Sequence, residues 1–220
     1  MHYTRFLGGF IAAICLLCCA GCNWVGAGYL LIHGGPKNPR VYELDKKRTT
    51  VLVIEDPRGS IPRRTLRYEI AERAVADMLD QGLVENMISA RSALDAVAAE
   101  DPSSRKTIAE LGQALGADVV VWVGVESFSL SPDGQTFQPS SSVRMRVIDV
   151  TEDAVLYPSD DMKGYPLVVA PPPNTGDIPT TRSAMNQAER ELAVLTGRAI
   201  AELFYEKERS RAARSGKSSE

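Results

Sequence analysis

Beyond residue 22 the 220-residue sequence has no cysteine and a single histidine, His33. For everything after that point, disulfides, cysteine-based zinc sites and thiol catalysis are excluded together. His33 lies in a His33-Gly34-Gly35-Pro36 turn and reads as a solvated loop residue. A metal site would have to be built from carboxylates, which suits only weak Ca2+ or Mg2+ binding. The acidic pairs Glu152-Asp153 and Asp160-Asp161 sit on turns without EF-hand spacing, so no metal is expected. Basic surplus is missing too: net charge is −3, which argues against a nucleic-acid partner. The phosphate-cradling GxxxxGK[ST] and GxGxxG patterns are absent, as is a GxSxG nucleophile elbow. Neither a cofactor nor an enzyme activity is expected.

What is present begins with an export-type amino terminus. One arginine in Met1–Arg5 precedes an uncharged, mostly apolar run from Phe6 to Ala20, the length of a signal-peptide core. Cys19-Ala20-Gly21-Cys22 follows and resembles the lipobox of bacterial lipoproteins, with Cys19 standing where Leu is usual. The resemblance implies cleavage before Cys22, a diacylglyceryl group on its sulfur, and attachment to a membrane through that lipid. Asn23, where Asp would imply retention at the inner membrane, implies the periplasmic face of the outer membrane. The competing reading is an uncleaved transmembrane helix, because no Asp, Glu, Lys or Arg occurs from Phe6 to Pro36. Either way the rest of the chain is expected in the cell envelope, outside the cytoplasm.

The remainder, 44% hydrophobic and 24% charged over the whole sequence, has the composition of a folded domain with a real core. Four segments are expected: a signal peptide (1–21), a lipid-anchored apolar lead (22–39), an α/β domain (40–208) and a disordered tail (209–220). Thr49 to Glu55 reads as a strand, and Thr65 to Gln81 as a helix with Leu66, Ile70, Ala74 and Met78 inward and Gly82 as its stop. Gly82 to Ile88 is expected to be a short strand, with helices at Ala90 to Ala99 and from Ser103 or Ser104 to Leu115. Val119 to Val125 is a continuous apolar run that belongs in the middle of a sheet covered on both faces. Ser142 to Val150 and Ala154 to Tyr157 are further strands, and Pro171 to Pro179 an extended connection. A long amphipathic helix is expected from Thr181 to Glu208, with Met185, Ala188, Leu192, Leu195, Ala199 and Leu203 as its buried stripe.

The segment IAELGQALGADVVVWVGVESF resembles the core of the curli-secretion (CsgG) and TolB amino-terminal superfamily. There a helix ends in a Leu-Gly-Ala-Asp-like turn and the next strand ends near a glycine. RMRVIDVTED is similar to the strand and turn that follow, with Glu152-Asp153 replacing the usual glycine turn. The resemblance spans about Thr49 to Tyr157. It implies an α/β sandwich of two or three layers, a mixed sheet with helices packed on it, here with a long C-terminal helix. Many such relatives, among them penicillin-binding-protein activators, are envelope lipoproteins that act by contact.

Charge supplies the candidate binding residues. Arg58, Arg63, Arg64 and Arg67, with Arg73 further on, crowd the start of the first helix, where the helix dipole disfavours cations. An acidic partner docking there would account for them, as would pairing with Glu69, Glu72 and Asp77 or plain exposure. The chain is therefore expected to be a non-catalytic binding, assembly or regulatory lipoprotein with an envelope protein as partner, self-association remaining open. The alternatives are a component of an outer-membrane secretion or export complex and, from another class, an envelope hydrolase.

Overall fold

The computed structural model describes residues 37–101, 103–161, 163–171 and 178–208. The signal peptide 1–21, Cys22, His33 and the apolar lead as far as residue 36, residues 172–177 of the extended connection, and the tail from 209 lie outside them. Residues 39–205 form one compact unit. Described by itself, the second unit shows a two-residue antiparallel ladder, in which Lys37 pairs with Glu208 and Asn38 with Lys207. No helix among the described residues is long and apolar enough to cross a membrane.

The compact unit is a mixed α/β sandwich. Its strands are β1 (Thr50–Glu55), β2 (Val119–Ser129), β3 (Ser140–Asp149), β4 (Ala154–Tyr157) and β5 (Tyr165–Val169). Its helices are α1 (Arg64–Asp80), α2 (Ala90–Ala98), α3 (Ile108–Leu115) and α4 (Arg182–Ala201). The apolar run lies in the middle of the sheet, as expected, with β2 parallel to β1 and antiparallel to β3. The expected cover on both faces, however, stops short of Trp122 and Gly124, which line a surface pocket. Both β4 and β5 pair with the far side of β3, β4 opposite Val147–Asp149 and β5 opposite Ser141–Met145. They form one interrupted edge.

Alternation sorts the sheet into two faces. On one, Leu52, Ile54, Val121, Val123, Met145 and Val147 join Ile70, Ala74, Leu192 and Ile200 in the main core beneath α1 and α4. On the other, Val51, Val53, Val120 and Ile148 pack with Ala93 of α2 and Leu111 of α3. A buried side chain of this size stabilises by roughly 1.5–3 kcal/mol, so the two clusters hold the sheet in place.

The Leu115-Gly116-Ala117-Asp118 turn has a plain physical reading. Gly116 caps α3 in the left-handed conformation, φ 77°. The Ala117 amide then donates to the Gly112 carbonyl, and the Asp118 carboxylate accepts from the Thr49 amide at 2.8 Å, joining the turn to the start of β1. At the later turn Asp153 takes the glycine conformation itself, φ 47°. Asp149 anchors that turn by accepting from the Thr151 and Glu152 amides and pairing with Arg48 at 2.9 Å.

Several expectations are corrected. Gly82 to Ile88 is not a strand; only Met87 bridges Thr50. The third helix begins at Ile108 rather than Ser103 or Ser104, because Thr107 and Glu110 form a reciprocal capping box. Tyr165–Val169 is a strand that the sequence reading overlooked. The long helix stops at Ala201, followed by a 3-10 turn at Glu202–Phe204 and an extended Tyr205. Its buried face is also rotated: Ala188, Leu192, Ala193, Thr196, Gly197 and Ile200 face inward, while Met185 is 41% exposed. Close packing drives the rotation. A Cβ on Gly197 would lie 2.4 Å from the Ile70 carbonyl oxygen of α1.

Two measurements check these statements. Gly197→Ala should lower stability by about 1–3 kcal/mol in denaturant melts, as overpacking against a fixed backbone does. At the Asp153 turn, Asp153→Gly should stay within about 0.5 kcal/mol of wild type, whereas Asp153→Val should lose about 1–2 kcal/mol.

Candidate functional site

Helices α2 and α3 cover only part of their face of the sheet. Where that cover stops, the positions alternating with the main core turn polar: Glu55 on β1, Trp122 and Gly124 on β2, and Ser142, Arg144 and Arg146 on β3. The register sets Trp122 opposite Arg146 and Gly124 opposite Arg144. The Arg146 guanidinium lies over the Trp122 ring, 4.2 Å from its centroid. The indole N–H donates to the Glu55 carboxylate at 2.7 Å. Gly124 makes room for the indole, since a Cβ there would fall 2.4 Å from the ring.

A β-bulge between Val125 and Ser127 places Glu126 at the rim. Its carboxylate accepts from the Ser142 hydroxyl at 2.9 Å and from Arg144 Nε at 3.1 Å. These donors, Ser142 first and Arg144 second, hold the Glu126 carboxyl below its usual range. Arg144 is used further by the Gly164 carbonyl at 3.1 Å and by Asp161 at 3.5 Å. Arg146 is different: its Nε is buried without an acceptor, and it forms no ion pair among the described residues. Burial pulls its pKa down, with the Glu55 charge opposing that shift. Arg58 and Lys163 complete a shallow pocket of about 300 Å³ over this part of the sheet. The same face continues onto the edge through Val155, Pro166 and Val168, since their pairing partners are Ile148, Arg144 and Ser142. Val168 is 68% exposed and Val155 39%.

The arginines singled out in the sequence divide. Arg58 is exposed on this pocket and reaches the Glu126 carbonyl at 3.4 Å. Arg63 instead joins α1 to α4, donating to Asn186 at 2.7 Å and pairing with Glu189. Arg64 pairs with Asp95 of α2 at 2.9 Å and Arg73 with Asp77 at 2.8 Å. Arg67 has a buried Nε without an acceptor among the described residues and does not line this pocket. Of the acidic pairs, Asp161 contacts Arg144, while Glu152 and Asp153 form the turn after β3. No group of three potential metal ligands occurs among the described residues. Trp122, Gly124, Arg144 and Arg146 were missed from sequence. Their signal is the polar half of the β3 alternation, which reads as ordinary solvent exposure until the sheet order is known.

The chain matches no protein-family model and no curated protein. Among solved structures it is similar to the PelC dodecamer from Paraburkholderia phytofirmans, at 12% identity and TM-score 0.40, over 76% of this chain and 93% of that one. It is similar to lipoprotein GNA1162 from Neisseria meningitidis, at 12% identity and TM-score 0.36, over 64% of this chain and 91% of that one. Similarity to TolB from Acinetobacter baumannii, at 13% identity and TM-score 0.28, covers 72% of this chain and 28% of TolB.

The Glu126 shift has a defined sign. A carboxylate with a depressed folded pKa stabilises the fold above its unfolded value, about 4.3, and loses that contribution as pH falls through the folded value. Thermal melts should therefore show a smaller drop in Tm between about pH 6 and pH 3 for Glu126→Gln than for wild type.

Proposed function

We propose that this chain is a membrane-anchored envelope module without catalytic activity that acts by protein contact, and that the open half of its sheet is the contact face. One observation carries the reading. A tryptophan held by Glu55 and Gly124 stacks under Arg146 in a pocket that Arg58, Arg144 and Lys163 also line, and the same face continues to exposed Val155 and Val168. Rigid aromatic and arginine anchors beside apolar surface are the composition of interaction hot spots. Arg58 belongs to that face, so part of the sequence-level arginine cluster enters the proposal. The anchor is Cys22, on the strength of the Cys19-Ala20-Gly21-Cys22 motif.

The test pairs anchoring with contact. Cys22→Ala should move the chain from the membrane to the soluble fraction, with its mass showing loss of the lipid. Val168→Asp with Lys163→Glu changes two exposed positions and should leave stability within about 0.5 kcal/mol. Crosslinking pull-down from the native envelope should then lose at least about ten-fold of its principal protein partner. Recovery equal to wild type would remove this face as the contact surface.

A further inference from the structure

We propose that the Trp122–Arg146 pocket is a carboxylate-recognition site that seats an acidic side chain of a partner protein. The proposal rests on the contact reading above and deepens it. Arg144 and Arg146 project from the same face of β3 two residues apart, about 7 Å along the strand. Arg144 is already engaged by Glu126, Asp161 and the Gly164 carbonyl. Arg146 has one face of its guanidinium covered by the indole, which leaves its in-plane donors as the unengaged part of the group. The Arg146 Nε is buried with no acceptor among the described residues, as are the Nε atoms of Arg63 and Arg67, and is too enclosed for an outside ligand. An incoming carboxylate would be received by the two terminal nitrogens, which make no hydrogen bond or ion pair among the described residues.

The surroundings select the acceptor's charge. Arg58, Arg144, Arg146 and Lys163 line the pocket with one carboxylate, Glu126, which accepts from Ser142 and Arg144. Glu55 on the indole N–H and Asp161 on Arg144 border it, so four cations face three carboxylates that each already have a partner. A planar carboxylate matches the guanidinium fork in two parallel hydrogen bonds, which a neutral amide cannot reproduce. The neighbouring Val168 and Pro166 select a polypeptide rather than a bare anion, because they offer apolar contact on the same face for residues flanking the acidic one.

The experiment uses the full lipidated chain in detergent micelles carrying Trp24→Phe, so that Trp122 is the only tryptophan left of the two. The probes are the peptide acetyl-Gly-Glu-Val-Glu-Gly-amide, its Gln-for-Glu analogue, and free glutarate. The Glu peptide should change Trp122 emission saturably, and the Gln analogue should bind at least about ten-fold more weakly. Raising salt from about 0.05 to 0.5 M should weaken the Glu peptide. Arg146→Gln should raise its Kd by at least about ten-fold, and Arg146→Lys by an intermediate factor, since the charge remains but the fork is lost. If Arg146→Gln fails to melt cooperatively, Arg58→Gln with Lys163→Gln, both at exposed positions, replaces it and should weaken binding by about three-fold or more. No saturable change, equal binding of the Gln analogue, or variants without effect would each overturn carboxylate recognition. Glutarate binding as tightly as the peptide would assign the pocket to a small free carboxylate and overturn the protein source. Partner recovery lost in Val168→Asp with Lys163→Glu, alongside no carboxylate binding, would overturn this inference and leave the contact reading intact. Carboxylate binding together with unaltered partner recovery would overturn the contact reading, and with it the protein source of the carboxylate.

Discussion

The fold depends on how closely α4 lies against α1. Gly197 sits over the Ile70 carbonyl with no space for a methyl group, and Ala71, Ala74, Ala193 and Ala201 are buried as well. Small residues let the two helices form one layer, whose larger side chains Leu66, Met78, Leu192 and Ile200 fill the main core. The buried hydroxyls of Thr196 and Ser141 bond at 2.7 Å, and Thr196 also donates to the Leu192 carbonyl, so α4 is tied to β3 without an unsatisfied polar group. Arg63 fastens the beginning of α1 to α4 from outside.

With the two longest helices committed to one face, the opposite face has only α2 and α3 to cover it. These have nine and eight residues, about 12–14 Å each at 1.5 Å per residue, whereas β2 runs for eleven, about 36 Å. Gly112 lets α3 approach closely over Val120 and Val150, so the cover is tight where it exists. Beyond it the sheet is open, and an open sheet surface needs side chains that tolerate water. The change from Val51, Val53, Val120 and Ile148 to Glu55, Trp122, Arg144 and Arg146 is the chemical consequence of short helices over long strands.

The same geometry explains which parts were legible in the sequence. A run such as Val119 to Val125 has one stable place in an α/β domain, and the four-residue recurrence of Leu66, Ile70, Ala74 and Met78 fixes the inward face of α1 without tertiary information. Tyr165–Val169 has neither a long apolar run nor a partner recognisable from sequence. Its Pro166 argues against a strand, yet an interrupted edge tolerates proline. Of the stripe expected on α4, Ala188, Leu192 and Leu203 are buried, but the close approach to α1 also brings Ala193 and Gly197 inward, leaves Leu195 and Ala199 half-buried and turns Met185 outward. Arginine density likewise showed that cations gather near α1. It could not show that Arg63 and Arg64 meet Glu189 and Asp95, which lie far away in sequence. The Trp122–Arg146 stack was legible only as spacing: alternate residues on two strands whose register the sequence does not state.

Charge distribution adds a last constraint. The chain is acidic overall, with a sequence pI of about 5.6. On helices α1 and α4, however, cations and carboxylates interleave: Glu69, Glu72 and Arg73 face Gln187, Arg190, Glu191 and Arg198 along the outer groove. A mixed surface of that kind produces little net field, and its exposed pairs contribute little individually. The open sheet differs because four cations gather at a shallow site over an indole, where the nearby carboxylates Glu55, Glu126 and Asp161 are already used internally. Its cations outnumber those carboxylates, and the partly covered guanidinium of Arg146 is less screened than a lysine on a helix. Where α2 and α3 cover this same face the alternating positions are valine and isoleucine, so polar side chains begin where the cover ends; exposure requires polarity there but does not set its sign.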